Sequence, residues 1–121
     1  MAHSIMVVED DEPILDMMGL LLQRLGYEPR LFHNGLMALS DVKTNPPSLV
    51  LLDVMMMPMN GWEVLQNLRA DEKTKDLPVI LFTAHPSVEA RVAQLHDDKL
   101  RVLFKPVTFV ELERALKEFL G

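Results

Sequence analysis

Three carboxylates, a hydroxyl and an ammonium each stand directly behind a short apolar run, and that shared placement suggests a shared chemistry. Glu9 and Asp10 follow Ile5–Val8, Asp53 follows Leu49–Leu52, Thr83 follows Val79–Phe82, and Lys105 follows Arg101–Phe104. Carboxylates gathered at one place repel each other, an arrangement best tolerated around a hard cation such as Mg²⁺. Mg²⁺ takes few carboxylates and keeps positions open for water or phosphate oxygens. A central carboxylate such as Asp53 can attack phosphorus and form an acyl phosphate. Thr83 and Lys105 would offer a hydroxyl donor and a mobile ammonium to the phosphoryl oxygens. Phosphoryl transfer asks a protein for positioning and charge neutralisation, and this set contains both. The residues converge only if the fold brings these run ends together.

The elements that would do so can be read in order. Leu49–Leu52 has no polar residue, as expected of a strand buried on both faces of a parallel sheet, and Asp53 ends it at the carboxyl edge where open α/β folds place ligands. Ile5–Val8 is the first strand. Pro13 suits a first helical turn, Ile14, Leu15, Met18, Leu22 and Leu25 recur at helical spacing, and Gly26 ends that helix. Glu28–Phe32 is a weaker second strand near an edge, because of Pro29. A second helix spans Leu36–Val42, and a third runs from Gly61 to Ala70 with Trp62, Val64, Leu65 and Leu68. Val79–Phe82 is the fourth strand, ending at Thr83. The fourth helix covers Ser87–Leu95, with Ser87 as its cap and Val88, Val92 and Leu95 on one face. Arg101–Phe104 is the fifth strand. The last helix follows Thr108, with Glu111 completing a capping box and Phe109, Leu112, Leu116 and Phe119 as its inward stripe. This alternation predicts an α/β fold, a doubly wound five-stranded parallel sheet of order 2-1-3-4-5 with five helices.

The 121 residues read as one domain, 1–121, with 49% apolar and 25% charged residues and a formal charge of −6. That charge leaves no basic footprint for nucleic acid or an anionic membrane. The absence of cysteine excludes disulfide and thiolate chemistry. No apolar run approaches the roughly 18 residues of a membrane span. The acidic start is no signal peptide, so a cytoplasmic location is expected. The turn after the first strand is acidic rather than Gly- or Ser-rich, so it offers no nest for a phosphate-bearing cofactor.

Over essentially its whole length the chain resembles the receiver domain of two-component response regulators, including the chemotaxis receivers. The resemblance rests on VVEDDEP at 7–13, LLDVMM at 51–56, NGWEVL at 60–65, VILFTAH at 79–85 and FKP at 104–106. Each motif alone is weak; five in order at compatible spacing are specific. It implies a flavodoxin-like sheet and a signalling switch that accepts phosphate on Asp53. It also implies a Mg²⁺ site of Asp10 as a direct ligand, Glu9 through water, Asp53 and the Met55 backbone carbonyl. Thr83 would be the switch hydroxyl and Lys105 the phosphate-pairing lysine, with Lys105-Pro106 commonly cis. The donor would be a histidine kinase or phosphotransfer protein. A downstream protein, or a second copy in a homodimer, would read the face of helix 4, strand 5 and helix 5. Such a domain catalyses only its own phosphorylation and dephosphorylation.

The chain departs from the family pattern in three places. Met57 and Pro58 stand where members usually have Pro and Gly, and Val102 stands where they often have a switching Tyr or Phe. His96-Asp97-Asp98-Lys99 replaces the usual Gly-Ala pair, which predicts a different end to helix 4. The rival reading is a degenerate receiver that binds proteins without regard to phosphate. The cluster Met55-Met56-Met57 with Met59 reads as gap filling rather than a soft-metal site. His85 is either an exposed loop residue or a contact to an attacking water, and both readings stay open. His33 and His96 read as surface, and Trp62 as packing.

Overall fold

The computed structural model describes residues 2–121. Strands and helices alternate strictly: β1 (Ser4–Val8), α1 (Glu12–Arg24), β2 (Glu28–Phe32), α2 (Gly35–Thr44) and β3 (Leu49–Asp53), then α3 (Gly61–Ala70), β4 (Val79–Thr83), α4 (Ser87–Leu95), β5 (Leu100–Phe104) and α5 (Phe109–Leu120). The strands form one sheet in the order β2-β1-β3-β4-β5, every pair parallel. Register aligns Val8 with Leu52, Asp53 with Phe82, and Thr83 with Phe104. The carboxyl ends of β1, β3, β4 and β5 therefore lie along one rim.

The two-residue period of each strand sorts its side chains to opposite faces. Ile5, Val7, Leu51, Ile80 and Phe82 pack with Leu15, Met18 and Leu22 of α1 and Leu112 and Leu116 of α5. Met6, Val8, Val50, Leu52 and Leu81 pack with Ala38 and Val42 of α2 and Val64, Leu65 and Leu68 of α3. Every residue of β3 and β4 is buried. That is why these two strands read as unbroken apolar runs, each buried aliphatic side chain contributing about 1.5–3 kcal/mol. Pro29 sits in β2, which pairs only with β1 and forms an edge of the sheet.

Some boundaries differ from those read in the sequence. α2 runs from Gly35 rather than Leu36, because the Asn34 side chain accepts the Met37 N–H and caps it one residue earlier, and it continues to Thr44 rather than Val42, where the Asn45 N–H bonds the Asp41 carbonyl. β1 and β5 each begin one residue sooner, and Asp53 is the last residue of β3 rather than the first beyond it. Ser87 is not the cap of α4. It is the first helical residue, Pro86 occupies the cap position, and no side chain caps this end. Leu95 is 49% exposed instead of sharing an inward face with Val88. Only Val88 of α4 is buried, so this helix rests on the fold more lightly than the others. At the last helix Thr108 and Glu111 do form the reciprocal capping box. Phe109, placed on the inward stripe of α5, is 37% exposed, while Leu112 and Leu116 are buried.

Candidate functional site

The site is built at the carboxyl rim of the sheet, from strand ends that the core holds still. Glu9 follows β1, its N–H bonded to the Phe32 carbonyl (3.1 Å), and it is completely buried. Asp53 closes β3 and is 1% exposed. Asp10 is exposed beside them. One carboxylate oxygen from each of Glu9, Asp10 and Asp53 lies within 4.8 Å of the others. Lys105 leaves β5 with its N–H on the Thr83 carbonyl (2.8 Å). Its ammonium donates to Glu9 Oε1 (2.9 Å) and Asp53 Oδ1 (3.2 Å), and lies 5.2 Å above the Phe82 ring.

Three carboxylates around one ammonium leave two negative charges, which a single divalent cation would cancel. The donors are all carboxylate oxygens, the chemistry that suits a hard cation. The crowding is felt by Glu9. Burial, and then the neighbouring Asp53 carboxylate, hold its pKa above the usual 4.5, although Lys105 and the Asp11 N–H pull the other way. For Lys105, burial works to lower the pKa from 10.5, but the pairs with Glu9 and Asp53 outweigh it and the net shift is upward. Among the described residues no buried side-chain polar atom lacks a partner.

The Met55 N–H reaches back to Asp53 Oδ1 (3.4 Å), which brings the Met55 backbone to the same cluster. Thr83 is buried at the end of β4, and its Oγ1 accepts the His85 N–H (3.1 Å). The His85 side chain itself is exposed, as are His33 and His96. Met56 is buried in the core while Met55 and Met57 are exposed, so the methionines do not converge on one thioether site. Both Met57-Pro58 and Lys105-Pro106 are cis. Val102 is half-buried against the helix α2–α4 side of the sheet.

The sequence reading missed three features of the rim and its surroundings. It assigned Lys105 to phosphate alone, whereas the side chain already binds Glu9 and Asp53. It noted the spacing of Gly61 from Asp53 but not its reason. A Cβ on Gly61 would fall on the Asp53 carbonyl oxygen and 2.8 Å from Val54 Cα, and the Gly61 N–H bonds the Val54 carbonyl (2.9 Å). Trp62 does pack against the core as expected, but the Arg91 guanidinium that sits 4.0 Å over its ring was not foreseen. Neither the Arg91 stack nor the glycine seat leaves a periodicity signal; the order of motifs around them is the only trace.

The family described as response regulator receiver domain matches residues 5–117. The transcriptional regulatory protein ZraR of Klebsiella oxytoca is 36% identical over 118 residues, which are 98% of this chain and 26% of that protein. The response regulator MprA of Mycobacterium bovis is 35% identical over 120 residues, 99% of this chain and 51% of MprA. The chain thus spans about half the length of one of these relatives and about a quarter of the other. A crystal structure of the N-terminal domain of a response regulator receiver protein from Methanoculleus marisnigri superposes with a TM-score of 0.80 at 35% identity, covering 98% of this chain and 97% of that one. A putative response regulator from Chloroflexus aurantiacus gives 0.90 at 29% identity, covering 99% and 98%.

Proposed function

The chain belongs to the response regulator receiver domains of two-component signalling, and from that premise we propose that Asp53 accepts a phosphoryl group and that this switches the surface of the domain. The observation that carries the reading is a buried Asp53 with the Lys105 ammonium at 3.2 Å and oxygens of Glu9 and Asp10 within 4.8 Å. A carboxylate oxygen of Asp53 attacks the phosphorus of a phosphohistidine, the N–P bond breaks, and its electron pair leaves on the imidazole nitrogen. Lys105, now shared between two carboxylates, turns to the new phosphoryl oxygens. The Thr83 hydroxyl accepts the His85 N–H and keeps its own proton to donate. Asp10 directly, Glu9 through water, Asp53 and the Met55 carbonyl would hold Mg²⁺, which when bound would neutralise charge developing on the transferring group.

The donor is a histidine kinase or phosphotransfer protein, and the reader is a protein, or a second copy of this chain, docking on α4, β5 and α5. Inward movement of Thr83 and Lys105 biases that face between two populations. The protein's chemistry is confined to its own phosphorylation and dephosphorylation.

Incubation with Mg²⁺ and a small acyl-phosphate donor tests this reading by intact mass. One added phosphoryl group, absent in Asp53→Asn, is the expected result. No gain in the unmodified chain, together with no response to Mg²⁺, would overturn it in favour of a phosphate-independent binding module.

A further inference from the structure

We infer that the stack of Arg91 on Trp62 is the coupling through which the Asp53 loop moves α4, entering from the α3 side. The inference rests on the phosphoacceptor reading for its trigger but not for the latch itself. Four observations form the chain of contact. The first residue of α3, Gly61, is pressed on the Asp53 carbonyl and Val54 Cα with no room for a Cβ, so α3 begins on the backbone of the acceptor itself. The next residue, Trp62, carries the Arg91 guanidinium of α4 at 4.0 Å. One helix end further on, Arg69 of α3 donates to Asp97 Oδ2 (2.7 Å), the Leu77 carbonyl (2.8 Å) and the Lys99 carbonyl (3.1 Å). This fastens the segment behind α4, where His96 adopts a left-handed backbone, to α3. α4 buries only Val88, with Val92 half-buried against the core, so its apolar seat is light and these two polar latches add to it.

Val102 has no ring with which to sense Thr83, whereas Trp62 offers a ring on the path from Asp53. A displacement of the Asp53–Val54 backbone reaches Trp62 through close backbone packing, because Gly61 sits where no Cβ would fit and its N–H bonds the Val54 carbonyl at 2.9 Å. The ring then carries Arg91 with it or releases it, and α4 follows.

Hydrogen exchange of the amides in 87–95 tests the coupling in the full chain, because local opening free energies are read there directly. Without phosphate, Arg91→Gln, at an exposed position, is expected to raise α4 exchange about two- to fivefold, the size of an exposed cation–π contact, with Arg91→Lys restoring part of it. With Mg²⁺ and beryllofluoride, α4 exchange in the unmodified chain changes. In Arg91→Gln and in Trp62→Leu that change shrinks severalfold while the mass gain from acyl phosphate persists. Equal α4 exchange in the unmodified chain and Arg91→Gln, or an undiminished response to beryllofluoride in both variants, would overturn the inference. Failure of the phosphoacceptor reading appears separately, as absence of mass gain in the unmodified chain, and the phosphate-free comparison still judges the latch.

Discussion

Lys105 donates to Glu9 at 2.9 Å, joining residues 96 positions apart in the chain. The same ammonium reaches Asp53 at 3.2 Å, so a single cation serves two carboxylates that are both essentially buried. The rim is therefore held together by a contact that the proposed phosphorylation of Asp53 would disturb.

Removing that cation exposes its structural weight. Lys105→Met leaves Glu9 and Asp53 buried and uncompensated. Loss of one partner of a fully buried pair costs about 3–5 kcal/mol, and the partial exposure of the lysine reduces this to about 1–3 kcal/mol. Urea denaturation near neutral pH without divalent cation should show the loss, and added Mg²⁺ should recover part of it.

Neutralising Asp53 should have the opposite sign. Asp53→Asn removes one of three crowded carboxylates while its amide oxygen still accepts from Lys105. The metal-free variant should be more stable than the unmodified chain by on the order of 1 kcal/mol, the interaction of near charges under solvent screening. Thermal unfolding with and without Mg²⁺ checks both halves, since the stabilisation by Mg²⁺ should shrink in the variant. Equal metal-free stability would contradict the account of mutual repulsion.

The raised pKa of Glu9 makes a signed prediction. Its folded pKa lies above the usual 4.5, so folding favours the protonated form. That contribution is complete below 4.5 and is lost as pH rises through the folded value. A cation that needs the ionised carboxylate should gain affinity over the same interval. In stability measured against pH without divalent cation, Glu9→Gln should remove this downward component, and Mg²⁺ should stabilise the unmodified chain increasingly as pH rises. For Lys105 the net upward shift gives stability that is present below 10.5 and lost as pH rises through its folded pKa.

Gly61→Ala tests the seat of α3. The added Cβ meets backbone atoms of Asp53 and Val54, which cannot rotate away. Overpacking of this kind costs about 1–3 kcal/mol. Urea unfolding should show it, along with slower phosphorylation by acyl phosphate, because the clash falls on the peptide of Asp53, the proposed acceptor.

Much of this molecule was legible in order of residues. The unbroken runs at Leu49–Leu52 and Val79–Phe82 reflect burial on two faces, and β3 and β4 are buried throughout. The strand order followed from strict alternation and right-handed crossovers. Gathering of Glu9, Asp10, Asp53 and Lys105 at one rim followed from each standing behind a strand. Helix ends were harder. The Asn34 cap lengthened α2, and Ser87 was passed over as a cap although its residue type suits one. Caps depend on which N–H the local backbone presents, and that is settled by the turn rather than by residue type.

The sequence by itself determined the sheet, its order and the residues at its carboxyl rim, because burial and alternation are written into apolar spacing. Only the tertiary structure decided that Lys105 spans Glu9 and Asp53, that Gly61 rests on the Asp53 backbone, and that Arg91 covers Trp62. Those contacts join side chains from elements distant in the chain. Their existence depends on distances of a few ångströms that packing sets, and no one-dimensional pattern encodes them.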